Sequence, residues 1–183
     1  VEGRPIDRHR DEEKLSWNDR LKLFQKLCGA LQCLHQNQVV HRDLKPGNVM
    51  DSHEGVVKLL DFGIAKQLGP AGLELTTAEG TPLTPAYASP EQFSGRADAR
   101  SDVCSLGVIL YLMLTGKLPD QATTKPPSEN VREEDEQRTK ETTKQLKKRI
   151  MGDLDTVVLK AMQRESRLRF GSARESVRIR LAR

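Results

Sequence analysis

The sequence predicts one mostly helical α+β domain, and three observations carry that prediction. Two stretches, 16–36 and 98–115, repeat apolar residues at helical spacing. Between them lie short β-branched runs divided by turn residues. The chain has 183 residues, which is enough for one core burying roughly 70% of the unfolded surface.

Residues 1–15 are polar and charged with one proline, Pro5, and read as an entry segment followed by a short helix or loop. Ser16-Trp17-Asn18-Asp19 has the form of an N-cap box, with Asp in the place of the usual Glu. Trp17, Leu21, Phe24, Leu27, Cys28, Leu31 and Leu34 then define one buried helical face running to about Gln36. Short strands are expected at Val39-Val40, at Val49-Met50 and over 56–60, with Asp51 to Gly55 as a hairpin connection. Residues 61–91 are rich in Gly, Pro and Thr and have no sustained period. A loop this long is either disordered or functional.

The stretch from Asp98 to Thr115 is apolar almost all the way round, as befits a buried central helix, and Gly116 and Pro119 close it. Residues 120–150, with Pro126-Pro127 and a dense run of charge, read as an exposed linker that turns into a surface helix near Lys144. That charge is a solvated face or, on the sharper reading, a docking surface. From Asp153, the residues Leu154, Val157, Val158, Leu159, Ala161 and Met162 give a last amphipathic helix.

With 36% hydrophobic and 31% charged residues, the composition is that of a well-solvated globular domain. A net charge of +4 suits a phosphate-bearing partner. The basic residues are scattered and have few aromatics beside them, so no nucleic-acid partner is expected. The three cysteines form no C-x-x-C pair and no metal-ligand spacing. They are expected to be buried free thiols in a reducing cytoplasm. The longest nearly apolar run, 103–114, is too short for a membrane span. Any membrane link is expected through a segment outside this chain.

Three motifs carry the chemistry: His41-Arg42-Asp43-Leu44-Lys45-Pro46-Gly47-Asn48, then Asp61-Phe62-Gly63, then Ser89-Pro90-Glu91. Taken singly, Asp43 is a turn aspartate, Lys45 a surface lysine, Asn48 a capping residue and Asp61 a turn residue before Gly63. Together they match what phosphoryl transfer requires, namely in-line positioning and positive charge around the phosphoryl group. A carboxylate at Asp43 can orient an attacking hydroxyl and take its proton. In an extended loop Lys45 shares a face with Asp43, where it can neutralise the transferring phosphate. Asn48 and Asp61 offer oxygen ligands of the kind Mg²⁺ prefers. Asp102 lies inside the all-round apolar helix, and a buried carboxylate there needs a partner.

In order and spacing these motifs resemble the large, C-terminal lobe of a eukaryotic-like Ser/Thr protein kinase of bacterial type. Ser89 replaces the usual Ala. The resemblance implies a protein-kinase-like C-lobe, helical with short strands around the catalytic loop, that transfers the γ-phosphate of ATP, with Mg²⁺, to Ser or Thr of protein substrates. It makes Asp43 the base, Lys45 its cationic neighbour and Asn48 and Asp61 the metal ligands. It has Thr84 bonding to Asp43 and Lys45, Met50 lying under the adenine and Val1 presenting hinge backbone to the adenine edge. It makes 61–91 the activation segment and Arg42 the receiver of a phosphate placed on Thr76, Thr77 or Thr81. It pairs Glu91 with Arg169 and has Asp102 brace the catalytic loop.

No G-x-G-x-x-G and no V-A-I-K-like strand occurs in the chain. Residues 1–183 are therefore expected to be hinge plus C-lobe, with the N-lobe absent, and to be inactive alone. A pseudokinase or scaffold is the alternative from another class, opposed by the intact Asp43, Asn48 and Asp61. A small-molecule kinase of related fold is opposed by Arg42 and the Ser89-Pro90-Glu91 segment.

Overall fold

The computed structural model describes residues 3–52, 54–61, 85–120, 125–133, 136 and 141–177. Val1, Phe62, Gly63, Thr76, Thr77, Thr81 and Thr84 lie outside them. The described residues are rich in helix and carry one small antiparallel sheet, ordered β1-β2-β3. Its strands are β1 (Arg4–Pro5), β2 (Val49–Asp51) and β3 (Val57–Leu59).

Helix α1 (Ile6–Glu12) follows β1 directly, so the polar entry segment is a strand and a helix. Gly3 makes the strand's approach possible. Its φ is +153°, and a Cβ there would lie 2.7 Å from the Asp51 carbonyl oxygen.

Helix α2 (Trp17–Gln36) spans the predicted face. The Ser16 Oγ accepts from the Asp19 N–H at 3.3 Å and donates to Asp19 Oδ2 at 2.6 Å. Asp19 is one methylene shorter than the Glu of a full capping box, and it meets the Ser16 hydroxyl instead of the Ser16 backbone N–H. The helix closes with Gln38 left-handed at φ +61°. The Gln38 N–H donates to the His35 carbonyl and the Val39 N–H to the Leu34 carbonyl, a Schellman closure built without glycine.

The expected strand at Val39-Val40 does not form, because Val39 is occupied in terminating α2. The hairpin does form, with Val49 opposite Leu59 and Asp51 opposite Val57. Asp51 belongs to the strand and not to the turn, which begins at Ser52.

Helix α3 (Ala99–Thr115) is the buried centre. Asp98 caps it, accepting from the Arg100 and Ser101 N–H groups, and Gly116 ends it at φ +70°. Two buried arginines satisfy carbonyls of its last turn: Arg10 donates to Leu112 O at 2.7 Å and Arg20 to Met113 O at 2.9 Å. Next come α4 (Pro127–Asn130), α5 (Thr143–Ile150), α6 (Asp153–Ala161) and α7 (Ala173–Val177). Helix α6 packs on α3 at Gly107, where a Cβ would meet Ala161 Cβ at 2.9 Å. Helix α7 packs on α2, with the Arg174 N–H donating to Gln32 Oε1.

The stretch read as an exposed linker is partly core. Pro127, Ser128 and Val131 are buried, and Ser128 gives its N–H and Oγ–H to the two oxygens of Asp155. Asn130 donates to the Tyr111 hydroxyl. Helix α4, with Pro127 in its first turn, packs against α3 and α6.

Candidate active site

The site is built on the loop between α2 and β2. His41 is fully buried, and burial pushes its imidazole below the ordinary value, against the opposing pull of Asp102. Arg42 follows in the left-handed region at φ +67°, a conformation that costs a non-glycine residue about 1–3 kcal/mol unless its surroundings hold it. Asp102, 1% exposed on α3, does so. Its Oδ2 accepts from the His41 N–H at 2.8 Å and its Oδ1 from the Arg42 N–H at 2.9 Å. The expected bracing of this loop by Asp102 is therefore present.

Beyond Arg42 the chain presents Asp43. Lys45 Nζ lies 2.9 Å from Asp43 Oδ2. Residues 46–48 form a 3-10 turn that brings Asn48 back to the loop. Its Nδ2 donates to the Asp43 carbonyl at 2.9 Å and to Asp43 Oδ2 at 3.1 Å. The opposite amide orientation would set an oxygen against a carboxylate, so the network fixes which atom is which. The Leu60 N–H donates to the Asn48 carbonyl at 2.8 Å, extending the hairpin pairing. Asp61 therefore stands one residue beyond Asn48's partner, at the same end of the hairpin. It is exposed and left-handed, at φ +50°. Met50 is half-buried, while Val49 and Asp51 on either side are buried, so Met50 lies on the opposite face of the strand.

Residues 89–92 close the site from the other side. Glu91 and Arg169 form a two-pronged ion pair, at 2.5 Å and 2.9 Å. Ser101 Oγ also donates to Glu91 at 2.7 Å. Burial acts to raise the Glu91 carboxyl, but hydrogen bonds from Arg169 and Ser101 outweigh it and bring it down to about 2. Ser105 Oγ donates to the Tyr87 carbonyl at 2.9 Å, tying residues 85–88 to α3.

Asp43, Lys45, Asn48 and Asp61 thus gather along one loop and one hairpin end. Val1 and Thr84 lie outside the described residues. Sequence reasoning missed two groups here. His35 donates from Nε2 to Asp102 Oδ2 at 2.8 Å, and nothing in its sequence surroundings signals this. Gln92 bonds both Ser89 and Arg42. The Ser89-x-x-Gln92 capping-box spacing was the available signal.

The sequence profile of the protein kinase domain matches residues 2–178. The chain belongs to the protein kinase family. It is 37% identical over 158 residues to the serine/threonine-protein kinase PknB of Mycobacterium tuberculosis, which covers 85% of this chain and 24% of that one. A probable PknB of Bifidobacterium longum is 44% identical over 106 residues, 57% of this chain and 15% of that one. A probable serine/threonine-protein kinase of Clostridium perfringens is 32% identical over 179 residues, 97% of this chain and 25% of that one. The chain spans about a quarter or less of the length of these curated relatives. The expected likeness to bacterial Ser/Thr kinases is thereby established. Kinases of this family work on ATP with divalent metal ions bridging its phosphates.

Proposed function

We propose that this chain is the large lobe of a Ser/Thr protein kinase, which transfers the γ-phosphate of ATP to a Ser or Thr hydroxyl of a protein substrate. The observation that carries the reading is Asp43, gripped through Oδ2 by Lys45 and Asn48 on a loop whose backbone Asp102 holds. Such a carboxylate is held in orientation at the front of the loop. In this role Asp43 orients the attacking hydroxyl and receives its proton. Lys45 sets a positive charge beside it, where a transferring phosphoryl group needs one.

The donor set fits Mg²⁺. Asn48 spends its amide nitrogen on Asp43, which leaves Oδ1 as its ligand atom, and Asp61 adds an exposed carboxylate. One neutral and one anionic oxygen suit a hard cation that keeps some of its waters. When bound, the metal neutralises charge on the ATP phosphates. In the same reading Met50 supports the adenine from below, Val1 offers hinge backbone to its edge and Thr84 reaches Asp43 and Lys45. Residues 61–91 act as the activation segment, and Arg42 receives a phosphate on it. The substrates are proteins, the compartment is the cytoplasm, and the 183 residues alone do not turn over because the phosphates lack a covering wall.

The test is phosphate transfer by the full-length protein from Mg-ATP to a generic Ser/Thr protein substrate, with Asp43→Asn beside it. Transfer by the parent and none by the variant, with ATP binding retained, is expected. A parent that binds nucleotide but transfers nothing makes the chain a pseudokinase, and near-normal turnover by Asp43→Asn removes Asp43 as the base.

A further inference from the structure

We propose that Gln92 is a positioning residue for the reaction: its side-chain amide holds the peptide plane between Arg42 and Asp43, and so aims the Asp43 carboxylate. The proposal rests on the kinase reading above.

Gln92 is 6% exposed in the 3-10 turn over residues 90–94. Its Nε2 donates to the Arg42 carbonyl at 2.5 Å. Its Oε1 accepts from the Ser89 N–H at 2.7 Å and from Ser89 Oγ at 3.1 Å. One buried amide therefore uses both ends, on two segments that lie 50 residues apart. Such an amide is hard to replace, because removing either partner leaves a buried polar group unpaired.

The bonded carbonyl matters more than the bond count. Arg42 sits at φ +67°, and Asp102 fixes its N–H from one side. The Arg42 carbonyl shares a planar peptide unit with the Asp43 N–H. Holding that oxygen sets ψ of Arg42 and φ of Asp43 together, and these two angles place the Asp43 Cα–Cβ bond. Asp102 alone constrains the peptide before Arg42, whereas Gln92 constrains the one after it. With both in place the strained residue has no rotation left to relax into. Without Gln92, the peptide between Arg42 and Asp43 can rotate and carry the carboxylate with it.

The same amide accounts for Ser89. Where the family motif has Ala, the Ser89 hydroxyl donates to Gln92 Oε1 and the pair forms a reciprocal cap of the 3-10 turn. That cap orients the Gln92 side chain with its nitrogen toward Arg42. The substitution in the motif and the clamp on the catalytic loop are thus one arrangement.

The experiment measures kcat and both KM values of the full-length protein carrying Gln92→Leu or Gln92→Glu. The first removes both ends of the amide at similar volume. The second keeps an acceptor for Ser89 and loses the donor to Arg42. Both are expected to lower kcat by about 10- to 100-fold, the range a sub-ångström to 1 Å misplacement of a reacting group produces, with KM for ATP within about twofold. Ser128→Ala is the control for stability, since it breaks a buried hydrogen bond to Asp155 remote from the loop. It is expected to lower the unfolding midpoint while leaving kcat of the folded enzyme unchanged. If Gln92→Glu keeps its parent's kcat, the clamp on Arg42 does not position Asp43. If kcat falls only in proportion to the folded fraction, as for Ser128→Ala at a matched loss of stability, Gln92 is structural only. If the parent itself transfers no phosphate, the kinase reading fails first and separately.

Discussion

Replacing Glu91 with Gln removes the counter-charge of a guanidinium that has no exposure to solvent, and the structure gives the size of the loss. The Arg169 side chain is 0% exposed. All five of its N–H donors are used: Nε on Gln163 O, one terminal nitrogen on Glu91 and Arg100 O, the other on Glu91 and Arg164 O. Breaking a buried ion pair from one side costs about 3–5 kcal/mol, because the remaining charge stays buried. Three carbonyls still accept from Arg169, so the lower end, about 3 kcal/mol, is expected. That is a large fraction of the 5–15 kcal/mol of a typical domain.

The loss should also depend on pH. In the folded chain the Glu91 carboxyl is held at about 2, against 4.5 ordinarily. The unfolded chain therefore binds the extra proton first as the pH falls. The pair's contribution is complete above pH 4.5 and fades as the pH falls towards 2. The difference between parent and Glu91→Gln is thus largest at neutral pH and small near pH 2. Urea unfolding followed by fluorescence of Trp17, the chain's one tryptophan and a buried one, measures it. A loss below about 1 kcal/mol at pH 7, as for an exposed pair, refutes the reasoning, as does a difference that does not shrink in acid.

Further outcomes follow from the same geometry. Asp61→Asn is expected to weaken Mg-ATP engagement, read as a rise in KM for the metal-nucleotide complex, whereas Asp43→Asn lowers kcat. Asp102→Ala leaves the His41 and Arg42 N–H groups without their acceptor, so a stability loss of at least about 2 kcal/mol is expected together with loss of activity. Unaltered denaturation curves would contradict it. Cys28 and Cys104 are buried, and burial pushes their thiols up to about 12 and about 11, while Cys33 is exposed. A thiol reagent at neutral pH should label Cys33 alone in the native chain, and equal labelling of all three would overturn the packing of α2 and α3.

What the sequence determined by itself was local or motif-borne. The long helices were legible because their apolar residues recur at one spacing and their caps are short polar signals: Ser16 and Asp19 at the start of α2, Asp98 and Gly116 around α3. The site residues on one continuous loop, Asp43, Lys45 and Asn48, were legible because a loop of that length leaves them little choice but to meet. Asp102 was legible because a carboxylate inside an apolar helix cannot go unpaired.

Other features depend on which groups the folded chain brings together. Val39-Val40 read as a strand by β-propensity, but a strand needs a partner, and the last turn of α2 took the Val39 N–H instead. Pro126 to Val131 read as linker because local composition does not show that Asp155 and Tyr111 wait to receive Ser128 and Asn130. Arg20 lies on α2, and the unsatisfied carbonyls at the end of α3 draw it in. The carbonyl that Gln92 holds lies on another segment. For Ser128, Asn130, Arg20 and Gln92 the deciding group is far away in sequence. Hydrophobic period and cap chemistry are written along the chain, whereas the need of a buried polar group for its partner is met only once the elements are brought together.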